Sequence, residues 1–599
     1  MQSGQSGQEI GRYDEKLARS TRLTLLVLAG AAAVAGAWWW LSGTPDVRPI
    51  PPDRPPGGGA LVSSVRAQPR SFNRYVARDS VTDTISYLTQ AKLVRVDRRT
   101  QDLEPWLAES WTVSADGVTF TLRLRRGVQF SDGTPFTSAD VLFAFRAVYE
   151  DPAAAALADS LKVGGQPLGV TAPDESTIVI RFPSAFGPGL RLLDNLPILP
   201  RHRLEAALAA GRFADAWGPS TPPSEIAGLG PFALERHDIG QRLVFKRNPY
   251  YWRKDAAGYA LPYLDRLTLE IVPDQNAELL RLDAGQIDFT QSEIRPEDYA
   301  NLKRAADAGR LVLHDLGVGV DADSLWFNLG PPKPGDSRLA WLRRAELRRA
   351  ISCAVDRQAF ADTVFLGAAV PVWGPVTAAN QRWHVPDLPH CEGGADEARR
   401  LLAQLGFSDR DGNGTLESAS GEPARLTLMT QKGNTALERG AAVIRDDCAK
   451  VGLQVDVAAL EAGSLIDRLE RGDYEAVYFR FLTTDLDPAL NLDFWLSRGG
   501  AHVWFPAQPQ PATPWEARID TLMLEQVATL DQDRRRAIFT EVQRIFAAEL
   551  PIVHFAAPRV YVATSARVLN ATPSVMRPMV LWNPDTLAVR PSNGAPAVR

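Results

Sequence analysis

The sequence predicts a mixed α/β (α+β) fold with more than one domain, on three observations. The chain has 599 residues, which is too long for one hydrophobic core and suggests about three or four domains. From Ala60 onward, short alternating strands, amphipathic helices and turn clusters follow one another. No short internal repeat is evident, so a solenoid is not expected.

The N-terminus predicts export of everything that follows it. Residues 1–22 form a polar tail that we expect in the cytoplasm, and residues 23–41 carry no charge. As a helix the second segment would span roughly 28 Å, about the thickness of the hydrocarbon core. Basic residues precede it and Trp38–Trp40 end it, which favours an uncleaved anchor in the inner membrane with the body in the periplasm.

The alternative is a cleaved signal peptide, which would release a soluble periplasmic protein. Small residues at Ala35 and Ala37 suit signal peptidase, and the apolar stretch before them is short enough. Residues 42–59 are rich in Pro and Gly and predict a stiff linker. No Cys follows the apolar run, so a lipid anchor is not expected.

The block from residue 107 to residue 141 predicts a hairpin strand followed by a capped helix. Its alternation runs from Val118 to Arg125, after the turn signal Asp116-Gly117. Thr137 is then the predicted N-cap, with Asp140 at the capping-box position.

Composition excludes several classes of function. The net charge of −5 offers no basic footprint for nucleic acid. Of Cys353, Cys391 and Cys448, at most one pair can close, and which pair is left open. Neither a nucleophile elbow, a zinc-protease motif nor a phosphate loop is found, so an enzyme is not expected.

Seven further blocks, together with residues 107–141, resemble the family-5 extracellular solute-binding proteins, the dipeptide and oligopeptide receptors of ABC importers. They follow the family's order from about residue 60 to about residue 590, and they are 58–73, 228–252, 263–289, 325–329, 346–375, 397–407 and 437–457. In the last block we expect Ala442, Ile444, Cys448 and Val451 to face inward.

The resemblance implies a large three-lobed periplasmic-binding-protein (Venus-flytrap) fold of the cluster C type. Lobe I would combine residues 60–80, 229–315 and 558–599; lobe II would span 81–228, and lobe III 316–557. Hinge closure would trap a peptide, and a permease with cytoplasmic ATPases would import it. We expect a monomer.

Three other functions stay open. The protein could be a membrane-tethered sensor, or a receptor for an oligosaccharide, a nickel chelate or haem. A peptide hydrolase is the third alternative.

The resemblance also implies site residues for a peptide ligand. In "FRFLTTDLDPAL" (479–490), Asp485 matches the family's partner for the ligand ammonium, with Thr484 beside it, although Leu482 stands where a Trp is usual. Arg439 matches the family's partner for the ligand carboxylate, and a guanidinium suits that group. The competing interpretations are a turn cap for Asp485 and a surface ion pair for Arg439.

Two weaker candidate groups come from the same resemblance. Ser71, Phe72 and Asn73 match the first cleft loop, and Phe327 and Asn328 end a strand that an extended peptide could join.

The segment 409–417 begins like a calcium-binding loop. Its candidate ligands are Asp409, Asp411, Asn413 and Glu417. The Glu due at the twelfth position is replaced by Ser420, so a plain Asp/Asn/Gly turn is the alternative and otherwise no cofactor is expected.

Overall fold

A computed structural model describes residues 57–331, 338–480, 485–506 and 508–590. The predicted tail 1–22, the predicted anchor 23–41 and most of the linker 42–59 lie outside these residues. Among the helices described, none combines the length and the apolar composition needed to cross a membrane.

The strands run along the whole described chain. In chain order they are β1 (Ala60–Val65), β2 (Ala91–Lys92), β3 (Val94–Val96), β4 (Leu103–Pro105), β5 (Ala108–Val113), β6 (Thr119–Leu124), β7 (Lys162–Val163), β8 (Gln166–Pro167), β9 (Gly169–Asp174), β10 (Thr177–Arg181), β11 (Pro197–Ile198), β12 (Phe232–Asp238), β13 (Arg242–Arg247), β14 (Arg266–Ile271), β15 (Leu311–Val318), β16 (Asp323–Phe327), β17 (Ala369–Pro371), β18 (Arg425–Gln431), β19 (Gln454–Leu460), β20 (Ala476–Arg480), β21 (Ile552–Ser565), β22 (Val568–Leu569) and β23 (Ala588–Val589).

Helices alternate with these strands, as the mixed α/β prediction requires. The α-helices are Ser80–Thr89, Ser138–Glu150, Ala155–Ser160, Arg201–Ala209, Gln275–Asp283, Pro296–Asp307, Arg338–Leu342, Ala345–Ala354, Arg357–Phe365, Gly394–Gln404, Thr435–Ala449, Ala462–Glu470, Leu492–Trp495, Pro514–Ala528 and Gln532–Glu549. Short 3-10 helices lie at Pro152–Ala154, Gly189–Asn195, Pro223–Glu225, Pro488–Leu490 and Pro584–Thr586.

Three sheets organise the chain. The first has the order β1-β14-β13-β12, and the second is the antiparallel β5-β6-β10-β9. The third has the order β15-β21-β16-β20-β18-β19, with β17 paired to β21. Strand β21 pairs with β16 along its first residues and with β15 along its last, so this long strand joins the edge strand β15 to the rest of the sheet.

Two large hydrophobic cores divide the described residues. The first takes its residues from 61–289 and 560–587, and the second from 325–556. The chain therefore passes between the cores twice, just before β16 and within β21. We call the two parts the N-terminal half and the C-terminal half; the finer three-lobe division stays a prediction.

The predicted hairpin and capped helix are confirmed. Strands β5 and β6 pair antiparallel, and Phe120, Leu122 and Leu124 are buried on one face of β6. Thr137 caps the helix Ser138–Glu150, and its capping box with Asp140 is complete. Gly117 has a φ of +69°, the left-handed conformation that its turn demands.

One disulfide forms, between Cys353 and Cys391, whose Cα atoms lie 5.4 Å apart. It settles which pair closes and ties the helix Ala345–Ala354 to the segment before Gly394. Cys448 keeps a free, buried thiol, and burial raises its pKa to about 12. A closed disulfide is typical of a protein that works in an oxidising compartment.

Candidate functional site

A large cavity lies between the two halves. Its volume is about 1020 Å³, and its lining comes from both halves of the chain. The N-terminal half contributes residues such as Tyr87 and Asp194, and the C-terminal half contributes Asp485 and Leu524. A space of this size is at the upper end of ordinary ligand sites, which measure roughly 300–1,000 Å³.

Charges of both signs line the cavity in equal number. The seven basic residues are Arg74, Arg78, Lys92, Arg98, Lys162, Arg480 and Arg577. The seven acidic residues are Asp83, Asp159, Asp194, Glu293, Asp321, Asp485 and Asp493. This balance suits a ligand that carries both signs better than a polyanion or a polycation.

Asp485 lines this cavity and also joins the two halves. Its Oδ1 accepts a hydrogen bond from Arg191 Nε at 3.1 Å, and both side chains are about nine-tenths buried. Although burial lowers the pKa of Arg191, the carboxylates of Asp485 and Asp487 outweigh it and raise that pKa above its ordinary value. Asp485 Oδ1 also accepts from the Asp487 amide, whereas Oδ2 has no hydrogen bond to the residues that the structure describes.

The turn behind Asp485 is fixed from within the C-terminal half. The buried guanidinium of Arg535 donates to both oxygens of Asp487, at 2.9 and 2.6 Å. Asp487 also caps the 3-10 turn Pro488–Leu490. A two-pronged pair of this kind fixes orientation, so Asp485 is held on a rigid support.

Other contacts hold the halves together around the cavity. Gly187 N donates to the carbonyl of Val527 at 2.6 Å, and Gln101 Nε2 donates to the carbonyl of Ala379 at 2.6 Å. A Cβ added at Gly187 would lie 2.4 Å from the carbonyl oxygen of Thr529, so this close approach requires glycine. The structure is therefore a closed arrangement of the two halves.

A buried cluster stands on the N-terminal wall. Asp194 pairs with Lys92 at 3.3 Å and with Arg98 at 3.2 Å, and Arg98 also donates to Tyr87 Oη. Burial alone would raise the pKa of Asp194, but the two cations outweigh it and lower that pKa. Asp194 thus pairs with both cations, and Arg98 positions Tyr87 beside the cavity.

Arg78 differs from its neighbours because its charge is not neutralised. It is exposed to the cavity and donates to the carbonyl of Ala156 at 3.0 Å, and no carboxylate of the described residues lies within 4.0 Å of it. Partial burial and the guanidinium of Arg74 lower the pKa of Arg78, and the carboxylate of Asp83 offsets only part of this shift. An anion from a ligand would relieve both effects.

Arg439 does not line the cavity. Its Nη2 donates to Glu297 Oε1 at 2.8 Å and to the carbonyl of Val364 at 2.6 Å. The sequence left open an ion pair with Glu438 or Asp446 on the same helix, whereas the ion pair observed is with Glu297. The predicted carboxylate role has no geometric support here and stays untested.

The weaker candidates are also engaged within the protein. Ser71 Oγ donates to the carbonyl of Trp217, and Asn73 Nδ2 donates to that of Phe213. Phe72 is buried in the first core, and Phe327 in the second. Asn328 donates to the carbonyls of Gly472 and Tyr474.

None of these five candidates lines the cavity. Thr484 lies outside the described residues.

The predicted calcium loop brings three of its carboxylates together. Oxygens of Asp409, Asp411 and Glu417 lie within 4.8 Å of one another. These oxygens also accept backbone N–H bonds, as when Asp409 Oδ1 accepts from Gly412 N at 2.8 Å, and the Asn413 amide donates to Asp411 Oδ2. The geometry is that of a stable polar turn, and calcium binding stays a prediction.

Arg191 is the contact residue between the two halves that sequence reasoning missed. It lies in the 3-10 helix Gly189–Asn195, flanked by the buried Leu190, Leu192 and Leu193. A lone Arg in an apolar run after Gly-Pro-Gly signals a buried charge that needs an acidic partner. Its partner is 294 residues away, and no local pattern could have indicated that distance.

Two halves joined by two crossings, with a large charge-lined cavity between them, define a receptor that encloses a solute. The family model described as "Bacterial extracellular solute-binding proteins, family 5 Middle" matches residues 102–502. The chain belongs to this family, as the motifs of the sequence predicted.

Curated relatives and a solved structure match most of the chain. A probable ABC transporter-binding protein of Deinococcus radiodurans is 28% identical, covering 85% of this chain and 89% of that protein. The oligopeptide-binding protein AppA of Bacillus subtilis is 22% identical, covering 85% and 88%. The ABC transporter substrate-binding protein CtaP of Listeria monocytogenes shares the fold with a TM-score of 0.72, at 21% identity, covering 89% of this chain and 99% of that one.

Proposed function

We propose that the protein captures peptides of several residues in the cavity by hinge closure and delivers them to a membrane permease driven by partner ATPases. The observation that carries the proposal is the charge-balanced cavity between the two halves, in a chain of the solute-binding family. The relatives named for oligopeptide binding support the same ligand class.

The size of the cavity favours oligopeptides over dipeptides. A volume of about 1020 Å³ exceeds what a dipeptide fills, and empty polar space would leave desolvated charges without partners. Room for several residues also agrees with the nonapeptide bound in the solved structure of the relative AppA.

The ends of the peptide would meet opposite charges on the two walls. We assign the ligand ammonium to Asp485, whose Oδ2 is not used by the described residues. We assign the ligand carboxylate to Arg78 rather than to Arg439, because Arg78 faces the cavity with no carboxylate partner there.

Titration calorimetry with alanine peptides of two to six residues tests the proposal. We expect saturable binding of one peptide per chain, with affinity that rises with length until the cavity is filled. Absence of binding at every length would contradict the proposal. Differential scanning calorimetry of the same mixtures is an independent check, because a bound peptide raises the Tm of the protein.

We place the binding region outside the cytoplasm, as expected of an extracellular solute-binding family, and propose that residues 23–41 tether it to the membrane. Carbonate extraction of membranes tests the tether. Full-length protein that stays in the pellet supports an anchor, whereas a shortened protein in the soluble fraction indicates a cleaved signal peptide.

A further inference from the structure

A second, smaller cavity adjoins the main one inside the C-terminal half. Its volume is about 110 Å³. It shares four lining residues with the main cavity, namely Val320, Asp321, Asp485 and Leu486. We call this space the annex.

Aromatic and aliphatic side chains form most of the annex wall. The rings of Trp326, Phe494, Trp495 and Phe539 line it, together with Val376 and Ile552. The sheet strand β16 and the helices Leu492–Trp495 and Gln532–Glu549 carry most of these rings, so the annex is built on rigid elements. Its volume approaches the 150 Å³ or so of an apolar cavity that holds benzene.

Of the described residues that line the annex, only Asp321 and Asp485 carry a formal charge, and no cation is among them. His554 lines the annex, and burial together with the nearby Arg357 lowers its pKa to about 3, so its ring is neutral at physiological pH. The carboxylates of Asp321 and Asp485 belong to the part shared with the main cavity. An anionic side chain inside the annex would lose its hydration and find no cation among the described lining residues.

One buried acceptor lacks a partner. Asn380 is 7% exposed, and its Nδ2 donates to the carbonyl of Leu486 at 2.9 Å, which fixes the amide orientation. Asn380 belongs to the annex lining, and its Oδ1 has no hydrogen-bond partner among the described residues. A buried acceptor left unpaired is costly, so it favours a ligand group with a donor.

From this combination we infer that the annex is a specificity pocket for one aromatic side chain of the peptide, with tyrosine preferred. The ring fills the apolar box, and the phenol O–H donates to Asn380 Oδ1. The shared residue Asp485 places the annex next to the assigned site of the ligand ammonium, so the side chain is one near the peptide's N-terminus. This inference rests on the proposed peptide function.

The test measures which side chain is preferred and at which position. Purified full-length protein is titrated with tetra-alanine and with its variants that carry one Tyr, Phe, Leu or Asp at each position in turn. We expect one position near the N-terminus at which Tyr binds at least tenfold tighter than Ala, Phe less tightly than Tyr, and Asp no better than Ala. A flat profile across positions would overturn the inference.

Variants locate that preference. Val376→Phe fills the annex and should abolish the aromatic preference while the tetra-alanine affinity stays within about threefold. Val457→Phe is the matched control, on the solvent-exposed part of β19 at 36% exposure, and should leave the profile unchanged. Asn380→Leu should remove the advantage of Tyr over Phe and retain binding of Phe.

p-Cresol, the side chain of tyrosine alone, separates the two proposals. Its binding is followed by quenching of Trp fluorescence, since Trp326 and Trp495 line the annex. Cresol bound by the wild type but not by Val376→Phe supports the annex even if no peptide binds, in which case the peptide function alone is wrong. Equal quenching in both proteins would refute the annex.

Discussion

Replacing Asp485 by Asn tests both contacts that the cavity assigns to this carboxylate. The change keeps the size of the side chain and removes its charge, so Arg191 loses its ion pair across the cavity. A hydrogen bond to a charged group contributes about 1.5–3 kcal/mol, and the loss falls on the closed state because both groups are hydrated when the halves separate. Closure, and with it apparent affinity, should therefore weaken by roughly ten- to hundredfold.

The affinity of Asp485→Asn for a peptide with a free amine should fall by more than this factor, because the peptide ammonium loses its carboxylate partner as well. The affinity for an N-acetylated peptide should fall only by the factor that comes from weaker closure. Arg191→Gln is the matched variant: it removes the cross-cavity pair, keeps Asp485, and should weaken free and acetylated peptides by the same factor.

Titration calorimetry of wild type and the two variants with tetra-alanine and N-acetyl-tetra-alanine gives the ratio of variant to wild-type affinity for each peptide. If Asp485→Asn affects the two peptides equally, Asp485 does not bind the ammonium. If neither variant changes affinity, the reasoning about closure is refuted as well.

Three further predictions concern the cavity and its support. Arg78→Gln should weaken the binding of tetra-alanine about tenfold and leave the binding of C-terminally amidated tetra-alanine unchanged. Arg439→Gln should change the affinity for either peptide by no more than about threefold. Both variants are measured by calorimetry, and a larger loss of tetra-alanine affinity in Arg439→Gln than in Arg78→Gln would restore Arg439 as the carboxylate partner. The pKa of His554 in the folded protein is depressed, so as the pH falls below about 6.5 this histidine becomes protonated in the unfolded state while it stays neutral in the folded state. The protein should therefore lose about 2 kcal/mol of unfolding free energy from this group between pH 7 and pH 5. Urea denaturation of wild type and His554→Gln at both pH values measures it, and an equal loss in the two proteins would contradict the assignment. The pair Cys353 and Cys391 closes over a separation of 38 residues, so replacing both by Ala should cost about 4 kcal/mol of unfolding free energy by the chain-entropy relation. The Tm of this variant should match that of reduced wild type and lie below that of non-reduced wild type, and a Tm equal to that of the non-reduced protein would contradict the prediction.

The fold was predictable where local pattern and packing agree. Thr137 and Asp140 specify a helix start by their own hydrogen bonds, and alternation around Phe120 specifies a strand face. On the helix Thr435–Ala449 the predicted inward face was wrong at one position: Ala441, not Ala442, is buried on the face of Ile444 and Cys448. Because Ala441 and Ala442 are adjacent and identical, the hydrophobic pattern of the sequence does not distinguish which of them faces inward.

The site was less predictable because its contacts are distant in sequence. Motif resemblance indicated Asp485 and a cavity-lining role for it, but a motif match for Arg439 could not reveal that Glu297 occupies the guanidinium. The unneutralised charge of Arg78 and the unpaired oxygen of Asn380 depend on which groups are absent around them. Such facts require the packed structure.

Native mass spectrometry of protein purified from its own host, without refolding, tests directly whether the cavity between the two halves binds a peptide. We expect one bound solute per chain, released on denaturation and sequenced as a peptide of several residues. A released oligosaccharide, metal chelate or tetrapyrrole would contradict it, and would assign the cavity to another class of solute.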